Sequence, residues 1–182
     1  DSLENDNAAY AIPGQDSQKE AVLIGNGNTY LEKAYQAVTG MHLTKAANES
    51  VLLSDMPGDG DAAQSIRIYD AGQTCSEWES VSKMVFCDSV NAVDTVERVL
   101  LTVTGCDLTS GLSSFAIGVN ETKVYEIPEW GTGFLWAGEE CAGYYGEHNG
   151  VKTVVAGFDI RESDFPLKAE FPIFMSNALH FL

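Results

Sequence analysis

Two spacings of apolar residues alternate along this chain, and each change of spacing marks an element. Val151 to Ala156 is a short, β-branched apolar run bounded by the turn signal His148-Asn149-Gly150, which predicts a buried strand following a hairpin turn. Phe158 and Asp159 fall where that strand ends, and a polar loop closed by Pro166 follows. From Ala169 onward Phe171, Ile173, Phe174, Ala178, Leu179 and Leu182 recur at helical spacing, predicting a terminal helix docked on a sheet. Ligands of layered α/β folds tend to bind at the carboxyl ends of the strands, which directs attention to the loop from Asp159 to Asp164. Near the start, residues 20–24 read as a buried strand and Gly25-Asn26-Gly27-Asn28 as a turn. Asn28 is placed to cap a helix over 29–38 that Gly40 ends. A second strand over 42–45 completes a β-loop-α-β unit, the signature of a parallel sheet.

The middle of the chain is less regular. Residues 51–53 form a brief apolar run, and 55–61 an acidic, turn-rich loop. Residues 65–70 alternate as a strand does, and 84–86 is a further short strand. Residues 96–103 fit either period, with β-branched side chains favouring a strand at the end. The runs 115–119 and 122–127 predict two strands with Asn120-Glu121 between them, and 133–137 and 142–145 lead into the hairpin. No internal repeat or low-complexity tract is present.

Composition narrows the classes of function. At 182 residues the chain can bury one core, and 45% hydrophobic content is that of a globular domain. Ten Lys and Arg against 27 Asp and Glu give a formal charge of −17, which repels nucleic acid and anionic membrane alike. No apolar run approaches the roughly 20 residues that span a bilayer, and no signal-peptide pattern occurs. The opening without Met fits an excised segment of a larger protein, or a processed mature chain. Cys75, Cys87, Cys106 and Cys141 allow two disulfides in three pairings, or four buried thiols. The absence of a C-x-x-C pair speaks against structural zinc and against a thioredoxin-like motif.

Four stretches carry a family resemblance. Asp1-Ser-Leu with Asp6-Asn7 and Ala9-Tyr10 resembles the end of an immunoglobulin-like segment, and Ala21 to Ala34 resembles the first strand and helix of the domain that follows. Pro128-Glu-Trp-Gly131 and Gly157 to Leu167, with Phe171-Pro172 and Asn177, complete the pattern. Together they resemble the glutamine-amidotransferase-like domain of bacterial BatA-type membrane proteins that also carry a von Willebrand factor A domain. The resemblance implies an α/β, three-layer, flavodoxin-like (class I amidotransferase-like) domain with a mostly parallel sheet and a β-hairpin near the C-terminus. It places a preceding tail and linker at 1–15 and the domain at 16–182. It also implies flanking membrane helices and a domain on the extracytoplasmic face of the cell membrane.

An active class I amidotransferase needs a Cys on a tight Gly-flanked turn, served by a His and a Glu. Gly105-Cys106-Asp107 is the nearest approach, but no Gly follows two residues after Cys106, and none of His42, His148 and His180 has a Glu two residues on. Asp55, Asp59 and Asp61 could offer oxygen ligands to Ca²⁺, but they lack EF-hand spacing and its terminal Glu, so a solvated turn is the simpler reading. Gly25 to Asn28 lacks the Lys of a P-loop and reads as a capping turn. Asp159, Arg161, Glu162 and Asp164 form the densest charged cluster near a strand end. They would either contact a ligand or cap and close their loop, with Arg161 paired to a carboxylate. Trp130 and Trp136 are expected to pack on the sheet.

The resulting expectation is a non-catalytic interaction or scaffold domain of a membrane-anchored protein. It needs no cofactor and binds protein partners, including other domains of its own chain, but not nucleic acid. A Cys106-dependent hydrolase or amidotransferase relative and a small-ligand or Ca²⁺ sensor are the alternatives.

Overall fold

The computed structural model describes residues 20–51, 65–76, 78–112 and 114–182. The expected tail and linker at 1–15 and the acidic loop with Asp55, Asp59 and Asp61 lie outside these residues. Strand β1 (Ala21–Ile24) is buried on both faces, as its unbroken apolar run requires. The turn after it delivers Asn28, in extended backbone, to the start of α1 (Thr29–Thr39). The Asn28 side-chain oxygen accepts from the Tyr30 and Leu31 amides at 3.2 and 3.4 Å, and Glu32 Oε1 accepts from the Asn28 amide at 3.1 Å. Gly40 closes the helix at φ 73°, a left-handed conformation that only glycine adopts freely, and its N–H donates to the Gln36 carbonyl. Strand β2 (Thr44–Ala46) then returns parallel to β1.

Strands β3 (Ile66–Tyr69), β4 (Lys83–Phe86) and β9 (Val151–Ala156) continue the parallel half of the sheet on the other side of β1. Between β4 and β9 the chain inserts β5 (Ala92–Val103), β6 (Ala116–Tyr125), β7 (Gly131–Ala137) and β8 (Glu140–His148), all paired antiparallel. One nine-stranded sheet results, in the order β2-β1-β3-β4-β9-β8-β7-β5-β6. Side chains alternate across it. Leu23, Ile68, Met84, Phe86 and Val154 face a core shared with α1 and the terminal helix α2 (Glu170–Phe181), whereas Val22, Ile24, Tyr69, Val85 and Val155 face the opposite way. Helices α1 and α2 thus cover the same face, and a helical turn at 49–51 meets the other, where Glu49 accepts from the Tyr69 hydroxyl.

Three expectations are corrected. The sheet is mixed rather than mostly parallel, with four antiparallel pairings beside four parallel ones, and few helices accompany it. Among the described residues α1 and α2 share one face and only a helical turn at 49–51 stands on the other, so the three-layer flavodoxin-like architecture is not the one observed. The reason is connection length. Gly138-Glu139 joins β7 to β8 and Asn149-Gly150 joins β8 to β9, with Gly138, Asn149 and Gly150 all at positive φ, and two-residue turns can only make antiparallel hairpins. The two strands expected at 115–119 and 122–127 are a single strand, β6, in which Asn120 and Glu121 are exposed residues, Glu121 pairing with Glu97. Finally, Ile173 is exposed, and α2 docks through Phe171, Phe174, Met175 and Ala178.

Candidate functional site at the strand ends and on the sheet face opposite the two long helices

Because β1, β3, β4 and β9 run parallel, the residues just past their carboxyl ends converge. Asp70, directly after β3, is buried. Its Oδ1 accepts from Asn28 Nδ2 at 2.9 Å, and its Oδ2 accepts from both terminal nitrogens of Arg161 at 2.7 Å. Gly25 lies so close that a Cβ there would sit 2.9 Å from the Asp70 Cβ, at a φ of 143°. Burial pushes the Asp70 carboxyl above its ordinary value, against the pull of Asn28, Arg161 and the Ala71 amide and with a further push from Asp159. Asp159 caps the turn Ile160–Glu162 by accepting from the Arg161 amide at 2.9 Å, and its Oδ1 lies 3.6 Å from the Arg161 Nε. Arg161 therefore ties the loop after β9 to the loop after β3.

Cys87 occupies the corresponding place after β4, at φ 55°, its amide donating to the Ala156 carbonyl at 2.8 Å. Sequence reasoning missed it; the signal was the run Val85-Phe86-Cys87 closing a short strand. Burial pushes its thiol up. Lys123 opposes that shift, and Glu121, Asp159 and Asp88 add to it. Lys123 is itself engaged by Glu121 at 2.6 Å and Thr95 at 3.1 Å.

The other sequence candidates lie apart from this cluster. Asp164 accepts from the Gly118 amide at 2.9 Å, donates its own amide to the Gly118 carbonyl at 3.0 Å, and pairs with Lys168. It thereby covers part of β6, an edge strand. Cys106 precedes the turn Asp107–Thr109, where Thr109 Oγ1 accepts from its amide at 2.8 Å. Asn177 of α2 pins the same connection through the Leu108 and Ser110 carbonyls. Among the described residues no histidine hydrogen-bonds to a thiol, and no cysteine is in a disulfide. His148 ends β8 opposite Val151, at the far end of β9 from the Cys87 level.

The face opposite α1 and α2 carries two further features. Glu49 is buried against the parallel half, where it accepts from Arg67 at 3.2 Å, the Ser76 amide at 2.9 Å, the Ser76 hydroxyl and the Tyr69 hydroxyl. Burial pushes its carboxyl up, but the Ser76 and Tyr69 hydrogen bonds and the Arg67 charge prevail and hold it below its ordinary value. Over the junction of the two halves lies an open groove of about 410 Å³, walled by Trp78, Trp130 and Tyr144 and rimmed by Glu79, Asn91 and Glu126. Trp130 packs edge-on to Tyr144 with ring centres 5.9 Å apart and lies against His148 at 6.0 Å. Lys83, fully buried, holds Trp78 from the inside, donating to its carbonyl at 2.6 Å with Nζ 5.4 Å from the ring centre. Trp130 and Trp136 pack against the sheet as expected, yet both keep partial exposure.

No family model matches the chain, and no curated protein matches it. Solved structures do share its fold. Cytoplasmic Protein STM3548 from Salmonella typhimurium aligns with a TM-score of 0.66 at 11% identity, over 90% of this chain and 98% of that one. Agd3, a carbohydrate deacetylase, aligns with a TM-score of 0.57 at 10% identity, over 88% of this chain but only 32% of its own. These likenesses show the fold. The expected extracytoplasmic, membrane-anchored placement finds no support in them, STM3548 being named a cytoplasmic protein. Neither name concerns BatA-type or von Willebrand factor A proteins. Among the described residues no helix is long and apolar enough to cross a membrane.

Proposed function

We propose that this chain is a non-catalytic recognition domain that binds through the face of its sheet opposite α1 and α2. The observation that carries this reading is a contrast between two places. At the strand ends, where an α/β enzyme would keep its reactive groups open, Asp70 is already held by Asn28 and Arg161, and Asp159 caps its own turn. The neighbouring Cys87 thiol is pushed up by burial, and Lys123, the one cation that opposes this, is itself engaged by Glu121, while Glu121, Asp159 and Asp88 push the thiol further up. Cys106 lies in a separate connection, with a threonine as its hydrogen-bonding neighbour. The aromatic groove, in contrast, is open and presents large rigid rings with a few polar groups, the composition of a binding pocket.

Alkylation with iodoacetamide at neutral pH tests the reading. All four thiols are expected to label slowly in the folded protein and fast only after unfolding. A Cys87 or Cys106 that labels at least as fast in the fold as in the unfolded chain would indicate an activated nucleophile and overturn it.

A further inference from the structure

Resting on the reading of the groove as the binding face, we infer that its ligand is a neutral oligosaccharide. The walls specify apolar, flat surfaces. Trp130 is fixed from two sides by Tyr144 and His148, and Trp78 by the buried Lys83, so both rings stand ready without ordering on binding. The rim specifies hydroxyl groups. Glu79, Asn91 and Glu126 are all exposed and offer carboxylate and amide hydrogen bonds around the rings. A pyranose combines these demands, with C–H faces that stack on an aromatic ring and hydroxyls that project from its edge.

Charge narrows the class further. A ligand with net negative charge meets Glu79 and Glu126 and the −17 field of the chain. A ligand with net positive charge is drawn by those carboxylates, but the Trp78 ring it would stack on already has the buried Lys83 ammonium over it. A neutral polyol meets neither penalty. Among the described residues no acceptor meets the buried Trp78 Nε1–H.

The surface is long enough for more than one sugar. A second groove of about 270 Å³ is walled by Tyr125, Ile127 and Trp136, with Glu139 and Glu140 at its rim, and shares Val93 with the first. The segment 126–128 runs along both, and Val93 itself is 60% exposed between them.

The chain has three tryptophans, Trp78, Trp130 and Trp136, so its three indole N–H signals in a ¹H–¹⁵N spectrum report on these two grooves alone. The titrants are neutral hexasaccharides of glucose, N-acetylglucosamine, galactose, mannose and xylose, with acetylcholine and polygalacturonate as charged controls. At least one neutral hexasaccharide is expected to shift the Trp78 and Trp130 signals. Glu126→Gln, at an exposed position that does not threaten folding, is expected to weaken that binding several-fold, and Trp130→Ala by about tenfold or more. If only acetylcholine or only polygalacturonate moves the indole signals, the groove remains a binding site but the saccharide assignment is overturned. If no titrant moves them, or a sugar binds with shifts confined to the Asp70 and Arg161 loops, the assignment and the reading of the groove both fall.

Discussion

Glu49 illustrates what one buried charge does to this fold. It gathers the Tyr69 hydroxyl, two groups of Ser76 and the Arg67 guanidinium, so one carboxylate fastens the segment at 49 and the loop after β3 to the sheet. Its pKa is depressed in the folded state, so its contribution is fully present above the ordinary glutamate value of about 4.3 and is lost as pH falls through the folded value. Asp70, shifted the other way, gains relative stability as pH falls through its raised folded value toward its ordinary one, so its gain comes largely before the loss at Glu49. Glu49→Gln is expected to cost about 2–4 kcal/mol at pH 7, because it removes a buried carboxylate that Arg67, Tyr69 and Ser76 all engage. It should also flatten the acid limb of stability below about pH 4, and urea melts between pH 3 and 7 check both effects. An unchanged acid limb would place the sensitivity elsewhere. None of this network was legible in the sequence, since Glu49, Arg67 and Ser76 are polar residues that a pattern assigns to solvent. The strand-end cluster was half legible. Asp159 and Arg161 stood out, and a carboxylate partner for Arg161 was expected, but Asp70 lies 91 residues away and only the parallel pairing of β3, β4 and β9 brings it there. Asp164 was legible as a charged loop residue, not as the cover of the β6 edge at Gly118.

Between elements, the contacts that matter most are those of backbone with backbone. Gly157 ends β9 where three strands meet, its carbonyl accepting from the Lys123 amide and its amide donating to the Ala142 carbonyl. A Cβ there would run into the Lys123 carbonyl oxygen and lie 2.8 Å from the Ala142 oxygen and the Thr122 hydroxyl. Gly150, in the β8–β9 turn, has φ 81°, but a methyl group added to it would meet nothing within 4 Å. The same substitution should therefore cost different amounts. Gly157→Ala is expected to lose about 2–4 kcal/mol through steric displacement and Gly150→Ala about 1–2 kcal/mol through its left-handed backbone. Equal midpoint shifts in urea would mean that close approach at Gly157 is not what sets its identity. The elements themselves were read well where local chemistry dominates: the Asn28 cap, the Gly40 stop, the Asn149-Gly150 hairpin, the β-branched run of β9. They were read poorly in β5 and β6. There the strands lie at the sheet's far side, β5 is largely exposed with Arg98 at φ 49°, and Asn120-Glu121 imitates a turn inside a continuous strand. The resemblance to a mostly parallel fold came from the two chain ends, which do build the parallel half. The antiparallel insertion between β4 and β9 is set by hairpins in the stretch where that resemblance was weakest.

For the molecule as a whole, charge is the dominant long-range term. Twenty-seven acidic side chains face ten basic ones, and several of those bases are committed locally: Arg67 to Glu49, Arg161 to Asp70, Lys123 to Glu121, Lys45 to Glu32 and Lys168 to Asp164. Most carboxylates are therefore left to repel one another across the surface. Salt weakens both kinds of interaction, but not equally. The Arg67–Glu49 pair is almost fully buried and is poorly screened, whereas the exposed pairs contribute little to begin with. What salt chiefly removes is the surplus repulsion, which extends over about 10 Å at 0.1 M and about 30 Å at 0.01 M. The melting temperature is accordingly expected to rise by several degrees between about 0.01 and 0.3 M NaCl at pH 7, with most of the rise below about 0.1 M. Sodium sulfate at equal ionic strength separates screening from surface exclusion, because screening depends on ionic strength alone in this range. A melting temperature that falls with NaCl would mean that surface ion pairs outweigh the repulsion. The same field bears on recognition. If the groove takes a neutral saccharide, affinity should be nearly flat across that salt range even as the fold itself becomes more stable.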